Sequence, residues 1–158
     1  MIFLHGAGER GNDVGVVRMH GPPKLAAAGK AFPCIILSPQ CPFNESWKSN
    51  ELEELLEYII QEEHIDQKRI YLTGLSMGGY GTWSWSTDYP ENFAALIPIC
   101  GGGNPNKVES IQDIPVWVFH GAKDSVVPLE QSEEMVEALN ALGANPKFSI
   151  CPEAGHDS

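Results

Sequence analysis

Short apolar runs that alternate with helical patterns constrain the fold of this chain more than any other feature of its sequence. Six of these runs have the length of a strand, and several are continuously apolar, as expected for strands covered on both faces. Because parallel strands need a crossover connection, the alternation predicts an α/β fold with a mostly parallel sheet flanked by helices. The predicted strands are residues 1–4, 34–37, 69–73, 93–99, 116–119 and 147–150.

Helical patterns fill the intervals between these runs. Apolar residues recur at the spacing of one helix face in residues 52–60 and again in 135–142, and a further helix is predicted over 76–88. The segment 6–32 shows only short helical stretches and is predicted to be a long surface excursion. The chain has 158 residues without an internal repeat or a linker, so we expect a single domain over 1–158.

The charge balance argues against some classes of partner. Acidic residues outnumber basic ones by 21 to 10, and the formal net charge is −11. Nucleic-acid binding depends on clustered Lys and Arg against phosphates, and the sequence has no such cluster, so neither a nucleic acid nor an anionic membrane surface is expected as partner. No apolar stretch approaches the roughly 20 residues of a membrane-spanning helix.

The cysteines and the N-terminus give little positive information. Cys34, Cys41, Cys100 and Cys151 show no spacing typical of a zinc site and are predicted to be buried, reduced thiols. No cofactor or metal is expected. The first apolar run lacks the basic segment of a secretory signal, which favours a cytoplasmic location over secretion; secretion stays open if the N-terminus has been clipped.

A serine in a glycine-rich turn is the first candidate for chemistry. Residues 74–78 match G-x-S-x-G, a weak signal by itself in a chain with 16 glycines. A predicted strand precedes the motif and a predicted helix follows it, which is the setting that a nucleophile elbow requires. Ser76 is therefore predicted to be a nucleophile, and the alternative is an ordinary serine in a turn.

A serine hydroxyl needs a base to take its proton and an acid to orient that base. Asp124 follows the predicted strand 116–119, and His156 follows the last predicted strand, so both are expected at the carboxyl end of the sheet. Asp113 precedes its strand and Asp157 adjoins the histidine, so neither is favoured as the acid. A purely structural role, capping the turn after its strand, is the alternative for Asp124.

Backbone donors for a tetrahedral oxyanion are also predicted. One is the N–H of Met77, directly after the nucleophile, and the other is the N–H of Ala7, in the loop after the first strand, with Gly8 as second choice. Glu9 and Arg10 in the same loop are interpreted as an ion pair or as solvated side chains.

Five motifs, taken together, carry a resemblance to a known family: HGAGERG (5–11), SPQCP (38–42), RIYLTGLSMGGYGTW (69–83), WVFHGAKDSVVP (117–128) and the closing GHDS. They resemble the α/β-hydrolase superfamily, and more narrowly its carboxylesterase, phospholipase/carboxylesterase and polyhydroxybutyrate-depolymerase-like branch. The resemblance covers nearly the whole chain. It implies Ser76, Asp124 and His156 as a catalytic triad, with esters as the substrate class.

Three further residues are expected near the predicted site. Trp47 falls where such enzymes often place a residue that lines the acyl or alcohol pocket, and packing of a loop is its alternative role. His5 and His120 end predicted strands before a glycine, where they could border the site, and are interpreted as scaffold.

The two ends of the chain depart from the family pattern. Members normally begin with two further strands and end with a helix after the histidine, whereas this chain opens on what resembles the third strand. We therefore expect either a minimal hydrolase or a fragment. The segment 34–37 is then expected to be an exposed sheet edge, along which a homo-oligomer could form.

These observations favour a serine carboxylesterase that acts through an acyl-enzyme. The connection 101–114 is too short for a cap domain, so we expect an open site that suits short-chain or small soluble esters. A peptidase or thioesterase with the same triad is one alternative. A truncated, weakly active chain that serves as a binding or oligomerising module is the other.

Overall fold

The computed structural model describes residues 1–156 and contains a five-stranded sheet in which every neighbouring pair is parallel. The strands lie side by side in chain order, so each connection crosses over to the next position in the sheet. This confirms the predicted parallel α/β sheet. The strands are β1 (Ile2–Leu4), β2 (Tyr71–Leu75), β3 (Ala95–Ile99), β4 (Trp117–Gly121) and β5 (Lys147–Cys151).

The sixth predicted strand, residues 34–37, is wrong, and the sheet has five strands rather than about six. In this segment Leu37 forms an isolated parallel bridge with Ile2 on the outer side of β1. Pro39 follows the segment, and because proline has no N–H to donate, pairing with β1 cannot continue there. On the other side of the bridge the N-terminal amine of Met1 donates to the Ile35 carbonyl at 2.9 Å. Cys34 is exposed, contrary to prediction, and lies at this edge of the sheet.

The three predicted helices are present, and the surface excursion over residues 6–32 contains only short helices, as expected. Helix α2 (Ser49–Glu62) buries Leu52 and Leu56, and helix α4 (Glu130–Ala141) buries Met135 and Leu139, which confirms both apolar stripes. Segment 6–32 contains two 3₁₀ helices, Ala7–Glu9 and Val14–Met19, and one short α-helix. The α-helices are α1 (Gly21–Ala27), α2 (Ser49–Glu62), α3 (Met77–Asp88) and α4 (Glu130–Ala141).

Helix α3 is the central helix of the fold and packs across β1, β2 and β3. Its two tryptophans, Trp83 and Trp85, are fully buried, and each indole N–H has an acceptor, as buried indoles require. Trp83 Nε1 donates to the Gly101 carbonyl at 3.2 Å, and Trp85 Nε1 donates to Glu53 of α2 at 2.9 Å. The side chain of Asn92 donates to the same carboxylate. Glu53 thus fixes α2 against α3.

A proline interrupts the pairing of β3 with β4. These strands pair at Ile99 with Phe119 and bridge at Leu96 with Val116, whereas β2 and β3 pair along their whole length. Leu96 N–H donates to the Pro115 carbonyl at 3.0 Å, and Cys100 N–H donates to the Phe119 carbonyl at 2.9 Å. Pro98 lies between these two donors and has no N–H. The sheet therefore lacks one backbone bond in its middle.

The carboxyl ends of all five strands meet at one edge of the sheet, because the strands are parallel. The segments that follow them carry His5, Ser76, Cys100, Asp124 and His156. Asp113 precedes β4 and so lies at the opposite edge. None of the helices in residues 1–156 combines the length and the apolar character that crossing a bilayer requires.

Candidate active site

Ser76 lies in a strained turn between β2 and α3. Its φ of 59° and ψ of −117° are unusual for a residue with a side chain, and such backbone strain costs about 1–3 kcal/mol. The turn also brings backbones very close together. A β-carbon at Gly74 would lie 2.2 Å from the Gly78 carbonyl oxygen, and one at Gly78 would lie 1.9 Å from that of Leu4. Both glycines of the motif are thus sterically required.

The three predicted residues of the triad meet in one hydrogen-bonded chain. His156 Nε2 lies 2.8 Å from Ser76 Oγ, and His156 Nδ1 lies 2.7 Å from Asp124 Oδ2. An ionised carboxylate only accepts hydrogen bonds, so Nδ1 carries the proton and Nε2 of the neutral ring accepts from the serine hydroxyl. This is the arrangement in which an imidazole can take a proton from serine.

The side chain of Asp124 is fully buried and held from two sides. Its Oδ1 accepts from the backbone N–H groups of Val126 and Val127, at 2.8 and 2.9 Å, while Oδ2 faces His156. Burial raises the pKa of Asp124, but the hydrogen bonds from His156, Val127 and Val126 outweigh it and hold the pKa below its usual range. Turn capping, proposed as an alternative role, uses one oxygen and leaves the other for the histidine.

His120 is buried beneath this carboxylate and contacts the turn that holds it. Its Nε2 lies 2.9 Å from the Val127 carbonyl, which only accepts, so Nε2 carries a proton; the same atom is 3.5 Å from Asp124 Oδ2. Its Nδ1 lies 2.7 Å from Ser132 Oγ on α4. His120 therefore ties the 124–127 turn to α4.

The loop that carries His156 is attached by backbone hydrogen bonds to the loop after β4. Ala122 N–H donates to the Cys151 carbonyl at 2.9 Å, and Lys123 N–H donates to that of Ala154 at 3.0 Å. Acid and base therefore belong to one connected pair of loops. Asp157, the rival acid next to the histidine, lies outside the described residues.

Both predicted oxyanion donors lie beside the nucleophile. Met77 is the first residue of α3 and Ala7 is the first residue of the 3₁₀ helix Ala7–Glu9, so neither N–H has a partner inside its own helix. The positive end of the α3 dipole also points at this place. A β-carbon at Gly6 would lie 3.6 Å from the Ser76 Cβ, so the Ala7 loop passes next to the serine.

The interpretation of Glu9 and Arg10 as an ion pair or as solvated side chains is wrong. Arg10 Nε donates to the Ala7 carbonyl at 2.9 Å, and its Nη1 donates to the Glu45 carbonyl at 3.1 Å. Glu9 is buried, with 4% of its surface exposed, and its Oε1 lies 3.8 Å from His20 Nε2. Arg10 thus ties the loop of Ala7, the predicted oxyanion donor, to the loop of Glu45. Two adjacent charged residues in a sequence do not by themselves indicate such a contact.

A cavity of about 440 Å³ opens next to the serine. Trp47 forms one wall of it. The indole N–H donates to the His5 carbonyl at 3.1 Å, and the ring packs edge-to-face on His5 and against Gly81. Trp47 therefore occupies a position that fits both interpretations: it packs a loop, and it also borders the cavity. The cavity is lined by Ser76, Met77, Trp47, Ser46, Tyr80 and Ser84.

Three of these lining residues were not identified from the sequence. Tyr80 and Ser84 follow Ser76 by four and eight residues, so the period of α3 places them on the face that the nucleophile begins. That spacing is a signal from which they could have been found. Ser46 lies in a loop and has no comparable signal.

One group of side chains in residues 1–156 has the spacing of a metal site. The ligand atoms of Cys100, Asp124 and His156 all lie within 4.8 Å of one another. Two of these groups already share a proton in the chain that leads to Ser76, so a cation bound there would displace that proton and separate the acid from the base.

Comparison with known proteins agrees with this architecture. A solved thermostable esterase superposes with a TM-score of 0.80 and 41% identity, over 95% of this chain and 45% of that structure. A putative carboxymethylenebutenolidase of Salmonella typhimurium is 31% identical over 100 residues, which are 58% of this chain and 37% of that protein. A bifunctional acetylxylan esterase/xylanase of Neocallimastix patriciarum is 32% identical over 83 residues, 52% of this chain and 12% of that protein. The chain thus spans less than half the length of these proteins.

The match to a protein family covers more of this chain than the alignments to the two curated relatives do. Residues 42–157 match the Dienelactone hydrolase family, and this range includes the serine elbow, the acid and the histidine. The resemblance to α/β-hydrolases is thereby confirmed, and the parallel sheet with its central helix is the corresponding fold. The chain belongs to the dienelactone hydrolase family.

Proposed function

We propose that this chain is a serine carboxylesterase that hydrolyses short-chain or small soluble esters through an acyl-enzyme. The observation that carries the proposal is the hydrogen-bonded chain from Ser76 through His156 to the buried Asp124, at 2.8 and 2.7 Å. Membership of a hydrolase family and likeness to a solved esterase support the same reaction class.

The proposed reaction follows from the position of each group. Ser76 Oγ attacks the ester carbonyl while His156 Nε2 takes the hydroxyl proton, and Asp124 stabilises the imidazolium that forms. The N–H groups of Met77 and Ala7 donate to the oxyanion. His156 then gives its proton to the departing alcohol oxygen. A water molecule, deprotonated by the same nitrogen, attacks the acyl-enzyme, and His156 returns that proton to Ser76 Oγ as the acid is released.

The surroundings of Ser76 support small substrates. Between β3 and β4 the structure has the 3₁₀ helix Pro105–Ile111, and no cap domain is inserted there. The cavity beside the serine has a volume of about 440 Å³; Trp47, Met77 and Tyr80 give it apolar surface, and Ser46 and Ser84 are polar. Long acyl chains would find little surface to bury, so we expect kcat/KM to be highest for acyl chains of two to about six carbons.

Replacement of the serine tests the proposal most directly. We expect Ser76→Ala to lower the hydrolysis of p-nitrophenyl acetate by at least about 10³-fold, since loss of a triad member costs up to ~10⁶ in kcat. A fluorophosphonate probe should label the original protein and fail to label the variant. Ser110→Ala, at an exposed serine of the 3₁₀ helix Pro105–Ile111, is the control and should keep full labelling.

More than a tenth of the original activity in a Ser76→Ala protein with an unchanged unfolding midpoint would contradict the assignment. Thioester and p-nitroanilide substrates in the same assay measure the leaving-group preference, because the triad itself does not encode it.

Two expectations stay predictions of the sequence: one domain over 1–158, and association of copies along the edge at 34–37. Sedimentation velocity of the purified chain tests the second.

A further inference from the structure

His120 is a buried titratable side chain that the proposed reaction does not use. It lies in β4, one residue before the end of the strand, and none of its surface is exposed. A buried polar side chain is costly unless its polar atoms have partners, and both ring nitrogens of His120 have one. These partners belong to two different elements, which are helix α4 and the turn that carries Asp124.

Ser132, on α4, stabilises one tautomer of His120. Its Oγ lies 2.7 Å from His120 Nδ1 and is also fully buried. Because the Val127 carbonyl, 2.9 Å from Nε2, can only accept, the neutral ring has its proton on Nε2, and Nδ1 accepts from the serine hydroxyl. The Gly101 carbonyl, 3.1 Å from the same Oγ, accepts from an indole N–H of α3. The hydroxyl proton of Ser132 therefore goes to the histidine, and the Nε2–H of the ring faces the turn of Asp124.

This Nε2–H holds the turn that carries the acid. Val127 is bound at both of its backbone groups: its N–H donates to Asp124 Oδ1 at 2.9 Å, and its carbonyl accepts from His120 Nε2 at 2.9 Å. Nε2 also lies 3.5 Å from Asp124 Oδ2, so His120, Val127 and Asp124 form a closed ring of contacts. A displacement of the imidazole would therefore reach the carboxylate both directly and through the turn.

Two imidazoles face the same oxygen of the acid. Asp124 Oδ2 lies 2.7 Å from His156 Nδ1 and 3.5 Å from His120 Nε2. The His156 side chain is 29% exposed and lies on a loop, whereas His120 is fully buried and bound to α4. The oxygen that orients the reacting ring thus takes its position from the fixed ring. Misplacement of a positioning group by about 1 Å can cost about 10²-fold in rate.

We infer that His120 and Ser132 are positioning residues of the proposed reaction. Ser132 keeps His120 in the Nε2–H tautomer, His120 holds Asp124 Oδ2 and its turn, and Asp124 in turn orients His156. This role rests on the proposed function, and neither residue contacts the substrate in it. It differs from the role of a scaffold residue, which stabilises the fold without acting on kcat through the acid.

Two substitutions of His120 separate the two contacts of its ring. His120→Gln keeps an N–H donor near the position of Nε2, within reach of the Val127 carbonyl, whereas the shorter side chain of His120→Asn ends near the position of Nδ1, beside Ser132. We expect His120→Asn to lower kcat for p-nitrophenyl acetate by about 30–100-fold with KM little changed, and His120→Gln to lower it by less than about fivefold. Both variants remove the ring from the core, so both should lower the unfolding midpoint to a similar extent.

A double substitution tests whether His120 acts through the acid. In the original background, His120→Asn should slow fluorophosphonate labelling of Ser76 by about tenfold or more. In an Asp124→Asn protein the carboxylate is already absent, so adding His120→Asn should change the labelling rate by less than about twofold. The same substitution should still lower the unfolding midpoint there. A residue that only packs the core would slow labelling by the same factor in both backgrounds.

Ser132→Ala tests the partner of Nδ1. We expect it to lower kcat by about tenfold with KM little changed, since the ring loses the donor that fixes its tautomer. Ser86→Ala is the matched control, because Ser86 on α3 is equally buried and its Oγ donates to the Trp83 carbonyl of the same helix at 3.2 Å. Its kcat should stay within about twofold of the original value.

NMR reads the tautomer without any turnover. Long-range ¹H–¹⁵N spectra of the original protein at neutral pH should show His120 with Nε2 protonated and Nδ1 unprotonated, and Ser132→Ala should reduce the share of this tautomer. A proton on Nδ1 in the original protein would overturn the role of Ser132 and His120, and this measurement requires no variant to fold.

The kinetic outcomes separate this role from the proposed function. Equal losses of kcat in His120→Gln and His120→Asn, or a loss of labelling rate that persists undiminished in the Asp124→Asn background, would overturn the positioning role and make His120 a packing residue. In either case hydrolysis of p-nitrophenyl acetate by the original protein keeps the esterase proposal. If the original protein hydrolyses no ester, the proposed function fails, and the positioning role fails with it.

Discussion

The two halves of the candidate site are built by different means. Ser76, Asp124 and His156 follow parallel strands, and backbone hydrogen bonds hold the loops that carry them, with the side chain of His120 added at the turn of Asp124. The loop of Ala7 belongs to a segment that has hardly any sheet, and it is held by side chains that bind backbone groups. Regular secondary structure positions the first half, and single polar contacts position the second.

The side-chain contacts of the second half form a small network in residues 5–48. His5 Nε2 accepts from Cys41 N–H at 2.9 Å, and its Nδ1 lies 2.6 Å from the Gly6 carbonyl, so the neutral ring uses both nitrogens. Burial lowers the pKa of His5 and outweighs the hydrogen bond to Gly6, which raises it. Gln40 Nε2 donates to the carbonyls of Glu9 and Asp13, at 2.8 and 2.9 Å. Removal of one side chain should therefore disturb this half more readily than the first.

The largest effect is expected in the strand-end half, from the acid. Asp124→Asn should lower kcat by about 10⁴-fold, because the amide favours the wrong imidazole tautomer. Asp113→Asn, at the opposite edge of the sheet, is the control and should change kcat by less than about twofold. Steady-state kinetics with p-nitrophenyl acetate measures both. A swapped result would mean that the acid comes from the other end of β4.

A smaller effect on kcat is expected from Arg10 in the loop half. Arg10→Ala removes the bonds to the carbonyls of Ala7 and Glu45, and the resulting displacement of the loop should lower kcat by about 10–100-fold, with KM little changed. Arg10→Lys should restore only part of the lost kcat, since one ammonium group cannot reproduce the two bonds that the planar guanidinium makes. Arg18→Ala, an exposed arginine of the same segment, is the control. An equal loss in Arg18→Ala would show that the whole segment, rather than this contact, is responsible.

Trp47 joins the two halves, and its replacement separates packing from substrate contact. Each buried methylene contributes about 0.8 kcal/mol, so Trp47→Ala should reduce kcat/KM by up to roughly fourfold more for each added methylene from acetate to hexanoate. Trp47→Phe keeps a ring but loses the bond to the His5 carbonyl, and should retain the chain-length profile. A series of p-nitrophenyl esters measures it. Equal losses on every ester would make Trp47 a packing residue.

The smallest expected effect concerns stability at acid pH. Because the pKa of Asp124 is lower in the folded protein than in the unfolded chain, its contribution is complete above the ordinary aspartate pKa of about 3.9 and is lost as the pH falls through the folded value. The unfolding free energy of the original protein should thus fall more steeply below about pH 4 than that of Asp124→Asn. Urea unfolding from pH 6 to pH 3 measures the difference, with Asp113→Asn as control. Parallel curves for all three proteins would contradict the role of this carboxylate.

The same contrast explains what could be predicted from the sequence. The strands, the helices, the serine turn and the order of acid and histidine are encoded locally, by apolar periodicity and by glycine spacing around Ser76. The side-chain contacts of Arg10, in a loop, and of His120, at the end of β4, join these residues to partners that no periodicity identifies. The segment 34–37 has an apolar sequence typical of a strand, and Pro39, which cannot donate to β1, ends its pairing at one bridge. Local patterns predict elements, and tertiary hydrogen bonds decide how loops and edges are used.

The missing N–H of Pro98 has a consequence for how the enzyme would lose activity on heating. Ser76 belongs to the block formed by β1, β2 and β3, whereas Asp124 and His156 belong to the block of β4 and β5, which pair along their whole length. The seam between the two blocks, where β3 meets β4, has fewer paired residues than any other pair of neighbouring strands in the sheet. A fluctuation that opens this seam withdraws acid and base together from the serine, while each block keeps its secondary structure. We therefore expect inactivation to precede melting, and recovery on cooling to need only that the two blocks close again.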